Sequence, residues 1–83
     1  MPKFMDYHPT LKLPPDAIQM LTEATKAGKV DQFGVKQLEL YHNDEQGGAW
    51  CILEGPNEAA IHSHHNAVGV PVEGQVKEVK GVL

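Results

Sequence analysis

An α+β sandwich, a four-stranded antiparallel sheet with two helices on one face, is the fold class this sequence predicts, and three observations predict it. Three short runs, residues 3–8, 34–43 and 49–54, carry the two-residue period and the flanking turn residues that mark strands. Two stretches of roughly 12 residues between and after them repeat small and apolar residues at helical spacing instead. With a final charge-bearing run, the order becomes strand, helix, strand, strand, helix, strand. Two βαβ halves joined by a hairpin close as a ferredoxin-like βαββαβ sandwich. At 83 residues the chain is expected to be one such domain, spanning 1–83. Folding then removes only about two-thirds of the unfolded surface from water, so self-association would help it.

The first strand, Lys3 to His8, puts Phe4, Asp6 and His8 on one face and Met5 and Tyr7 on the other, and Pro9 closes it. After a connector over 10–14, Pro15 and Asp16 suit the first turn of a helix, proline by its fixed φ and the carboxylate by the helix dipole. Ile18, Leu21 and Ala24 form its buried stripe, and Gly28 ends it, giving a helix from Pro15 to Ala27. Gly34 to Asn43 alternates Val35, Gln37, Glu39 and Tyr41 against Lys36, Leu38, Leu40 and His42, with the leucine face toward the core. Asn43 to Gly48 supplies turn residues, and Ala49 to Glu54 returns as the third strand. Asn57 is the N-cap of the second helix, Glu58 lies in its first turn, and Gly69 terminates it. Beyond a Val70-Pro71 connector, Val72 to Val79 reads as an edge strand.

Composition excludes several functions. A formal net charge of −4, with seven basic residues scattered along the chain, provides no electrostatic footprint for DNA or RNA. The opening residues show no signal-peptide pattern and no apolar run approaches the ~20 residues of a membrane span, so a cytoplasmic protein without a membrane partner is expected. The single cysteine, Cys51, has no partner for an internal disulfide and reads as a small packed hydrophobe.

Chemistry concentrates in the histidines. Three of five lie in Ala59 to Gly69, where ~100° steps put Ala60, Ile61, His64, Ala67 and Val68 on one arc, with His62 and His65 together on a flank. On this reading His64 faces the interior, where an imidazole needs a hydrogen-bond partner or a metal. In the sandwich the ends of the first two strands approach the latter half of the second helix, so His8, His42 and His64 are expected to converge, with Asp6 able to add an oxygen. Such an all-nitrogen-and-oxygen set suits nickel, zinc or copper(II). Structural or surface histidines are the alternative reading of the same spacing. Asp6 with His8 is also compatible with acid–base chemistry, although no nucleophile and no phosphate-binding glycine pattern accompanies the pair.

Three segments carry a resemblance: Met1-Pro2-Lys3-Phe4-Met5-Asp6-Tyr7-His8, then Trp50-Cys51-Ile52-Leu53-Glu54-Gly55-Pro56-Asn57-Glu58, then Ala60-Ile61, His64 and Gly69-Val70-Pro71. In this order the chain resembles a family of small ferredoxin-like proteins of mostly unknown role, some of them described as nickel-binding. The resemblance implies a dimeric sandwich and singles out His64, Asp6 and His8 as metal-site positions, with Cys51 and Glu54 at family-typical positions. It departs at Glu39, where the family pattern has a histidine and this chain has His42 three residues on; His62 and His65 have no counterpart in the pattern. The function expected is a non-catalytic metal-binding protein, a carrier, buffer or sensor of Ni(II), with Zn(II) or Cu(II) as other candidate ions. Its ligands are expected among Asp6, His8, His42 and His64, and a homodimer is expected through the bare sheet face. The competing expectation is a small dimeric enzyme, an isomerase or cofactor-free oxygenase, with His8 and His64 as acid and base.

Overall fold

The computed structural model describes residues 1–9, 11–70, 72 and 75–82. Its elements are β1 (Lys3–His8), α1 (Pro15–Ala27), β2 (Lys36–His42), β3 (Ala49–Glu54), α2 (Glu58–Ala67) and β4 (Lys77–Val79). They form the ferredoxin-like sandwich: one sheet in the order β2-β3-β1-β4 with every neighbouring pair antiparallel. Among the described residues, no helix is long and apolar enough to cross a membrane.

Local chemistry sets the ends of the helices. Proline at the start of α1 has no amide hydrogen to leave unsatisfied, and Gly28 closes that helix in the left-handed region at φ 66°. For α2, the Asn57 side chain accepts a hydrogen bond from the Ala60 amide at 2.9 Å, satisfying one of the free donors of the first turn.

β2 departs from its expected form in two ways. It begins at Lys36 rather than Gly34, because the Asp31 carboxylate accepts hydrogen bonds from the Phe33 and Val35 amides, both at 2.9 Å, and draws 31–35 into a turn. It also carries a bulge: Gln37 opposes Leu53 while Glu39 opposes Ile52, leaving Leu38 without a partner. Gln37 therefore shares a face with Leu53, and beyond the bulge Leu40 and His42 lie in register with Cys51 and Ala49. The last strand was expected from Val72; it runs Lys77–Val79 at the sheet edge, and Glu73 and Gly74 of the expected span lie outside the described residues.

The core lies between the sheet and the helices. Phe4, Val35, Cys51, Leu53, Ile61 and Val76 are buried together, with Phe33, Leu40, Ala60 and Val72 packed around them. Ile61 anchors α2, whereas α1 contains no buried residue and rests on β2 by a half-buried stripe. On the opposite face Tyr7 stacks on Trp50 with ring centroids 4.9 Å apart. Met5 and Tyr41 on that side are exposed, Tyr41 at 59%.

Candidate metal centre

The pleat of β1 turns Asp6 and His8 to the helix side, because residues two apart share a face. β1 is an interior strand of the sheet, and its register with β3 sets Cys51 directly opposite Asp6. α2 crosses above, and one turn after its anchor Ile61 it presents His65. All four residues are buried, Asp6 and His8 at 1%, His65 at 4% and Cys51 at 7% exposure. One ligand atom from each lies within 4.8 Å of those of the other three.

The contacts inside this cluster are short without being aligned. His8 Nε2 is 2.7 Å from Asp6 Oδ1 and His65 Nε2 is 3.2 Å from Asp6 Oδ2. Among the described residues, neither carboxylate oxygen and neither His8 nitrogen has a partner in hydrogen-bond geometry. Four buried polar atoms without aligned partners are costly, at about 1–3 kcal/mol each and more where a charge is involved. Donors that converge on one point produce this pattern, since each lone pair aims at the common centre rather than at its neighbour.

The tautomer of His65 sharpens the point. Its Nδ1 lies 2.8 Å from the Ile61 carbonyl, which can only accept, so Nδ1 carries the hydrogen. In the neutral ring Nε2 is then a lone pair facing a carboxylate, and the gap between them calls for a cation, either a proton or a metal ion. The acid–base properties agree. Burial alone would raise the Asp6 carboxyl, but the imidazoles of His65 and His8 outweigh it and hold the group at about 2. Burial alone would lower His65, and Asp6 with the Ile61 carbonyl raises it above its ordinary value. Burial and the neighbouring Asp6 charge push the Cys51 thiol up to about 12. The set fits a divalent borderline ion: two imidazoles, one carboxylate and one thiol that a bound cation would deprotonate.

Of the residues expected from sequence, Asp6 and His8 are brought together, and His42 and His64 are not brought to them. His42 ends β2 on the surface, its Nδ1 2.8 Å from Asp44 in the hairpin. His64 turns to Asp31, with Nδ1 2.6 Å from Oδ2 and its side chain 19% exposed. The helix is rotated from its expected setting because Ala67 and Val68 do not help to bury it: both are exposed, Val68 at 59%. The buried line is therefore set by Ile61, and at ~100° per residue His65 lies ~40° from it and His64 ~60° on the other side. Taking Ile61, the most apolar residue of the helix, as reference was the available signal for His65. Cys51 packs in the core, as expected of a small hydrophobe, and its thiol also belongs to the cluster. His62 makes a surface pair with Glu58 at 3.6 Å.

Comparison with known proteins agrees with the fold and adds a family. The family described as nickel responsive protein SCO4226-like matches residues 4–79. No curated protein sequence matches. Among solved structures, the crystal structure of SCO4226 from Streptomyces coelicolor A3(2) superimposes with a TM-score of 0.76 at 22% identity, covering 98% of this chain and 99% of that one.

Proposed function

The chain belongs to the SCO4226-like family of nickel-responsive proteins, and from that premise we propose that it binds Ni(II) at Asp6, His8, Cys51 and His65 and acts as a nickel carrier, buffer or sensor. One observation carries the proposal: the buried Asp6 carboxylate and His8 ring, both 1% exposed, have no aligned hydrogen-bond partner among the described residues, while His65 aims Nε2 at the same carboxylate. Charge supports it as well. A carboxylate and a thiolate balance a divalent ion, so the loaded centre carries no net charge into a low-dielectric site, where an uncompensated ion would be costly. The same donors accept Zn(II) or Cu(II), and the family description favours nickel. Asp6 and His8 are retained from the sequence-derived ligand set; Cys51 and His65 take the places of His42 and His64.

Calorimetric titration of the untagged protein with nickel and zinc salts tests the reading. One nickel per chain is expected, bound tighter than about 10 µM, with a near-ultraviolet thiolate-to-nickel absorption that disappears in Cys51→Ser. Weaker binding, or equal binding by His65→Ala, removes the centre. The outer sheet face, where Tyr41, Trp50 and Tyr7 lie in one cross-strand row, supports a homodimer formed through that face. Sedimentation should give a dimer for the parent and a monomer for Trp50→Glu.

A further inference from the structure

A further histidine–carboxylate pair, His64 with Asp31, lies beside this centre at the cavities between the helices and the sheet. Asp31 is fixed by the two amides that its Oδ1 accepts, and its Oδ2 holds His64 Nδ1 at 2.6 Å. Nδ1 therefore carries a ring hydrogen, and no hydrogen bond occupies Nε2 among the described residues. The cleft between α1 and α2 encloses about 270 Å³ beside Leu21, Asp31, Val35 and His64. A smaller cavity of about 50 Å³ borders His8, Cys51 and His65. Leu21, Gln37, His64 and Val68 line both. Among these four, His64 is the one with a metal-binding nitrogen, and its ring meets His65 edge-on with centroids 5.5 Å apart.

We propose that His64, oriented by Asp31, is the entry ligand through which a divalent metal ion passes from the interhelical cleft to the buried centre. The inference rests on the reading of that centre as a metal site. The centre's own ligands are at most 7% exposed, so a hydrated ion cannot meet them directly. His64 lines the cleft, and its Nε2 can replace one water of the hydrated ion before His65, its sequence neighbour, replaces the next. Rotation of the His64 side chain then completes the transfer. The route runs equally in both directions, so His64 speeds loading and release by the same factor and leaves the equilibrium affinity unchanged.

The test is stopped-flow mixing of the full-length metal-free protein with nickel sulfate, followed by the thiolate absorption, and release of nickel into excess chelator. In His64→Gln both rate constants should fall about tenfold or more, while Kd stays within about twofold and stoichiometry is unchanged. Asp31→Asn keeps the Oδ1 acceptor for the Phe33 and Val35 amides and should show a smaller slowing of both rates. Unchanged rates in His64→Gln, with nickel still bound by the parent, overturn the entry role and leave the centre standing. A Kd weakened about tenfold would make His64 a ligand of the bound state and also overturn the entry role. No binding by the parent removes the centre and its entry ligand together.

Discussion

Loading the centre should release protons, and two residues set the number. The Cys51 thiol, pushed to about 12 by burial and by the Asp6 carboxylate beside it, is fully protonated at neutral pH. Ionising it at about pH 7.5 means working about 4.5 units below its pKa, or about 6 kcal/mol, which the metal–thiolate bond has to offset. One proton therefore leaves for every nickel bound through Cys51. His65 contributes a fraction of a second: the Asp6 carboxylate and the Ile61 carbonyl outweigh burial and raise its pKa, so part of the metal-free population carries the imidazolium. The release should lie between about one and two protons. Calorimetric titration in phosphate and in Tris, whose ionisation enthalpies differ widely, reads that number as the slope of observed against buffer enthalpy. Cys51→Ser should lower the slope by about one, and the affinity of the parent should improve at least about tenfold per pH unit above neutrality. A slope near zero for the parent, or the same slope for both proteins, refutes the thiolate ligand and the set proposed here.

The metal-free protein should be most stable between about pH 4 and pH 6.5. Asp6, held at about 2 against an ordinary 3.8, contributes about 2 kcal/mol that is present above the ordinary value and lost as pH falls through about 2; the raised His65 contributes below its ordinary 6.5 and loses that contribution as pH rises through its raised value. Melting temperature against pH should show both limbs, and Asp6→Asn should flatten them. His42→Ala and His62→Ala, which alter only surface pairs with Asp44 and Glu58, should leave the nickel Kd within about twofold by calorimetry. Ile61→Ala removes a fully buried side chain and should cost about 2–5 kcal/mol in chemical denaturation, with weaker nickel binding because Ile61 seats the turn that carries His65.

The elements with local stop signals were legible in the sequence. Pro9, the Pro15 and Gly28 pair, and Gly55 with Pro56 bound β1, α1 and β3 where the structure has them. β2 was less so, because its start depends on a side chain, Asp31 turning back on the amides of Phe33 and Val35, and its bulge at Leu38 leaves no compositional trace. Two-residue alternation assumes an unbroken pleat. One extra residue shifts the phase, which is how Gln37 comes to share the inner face with Leu53.

The centre divides along the same line. Asp6 and His8 could be paired from sequence because their relation is internal to one strand. Cys51 could not, because its nearness to Asp6 is a property of the β1–β3 register. A slip of one residue would set Trp50 opposite Asp6 and turn the thiol to the outer face, and no residue of either strand announces the register by itself. The proposed set also carries no paired-cysteine motif, because a mixed set needs only one thiol. For α2, the five residues of the expected arc do not contribute equally to burial. Ala67 and Val68 sit where the helix ends and bury little, so one isoleucine decides the rotation. That rotation puts His65 against the carboxylate and leaves His64 at the cleft, which gives two adjacent histidines different environments and, on the reading argued here, different tasks.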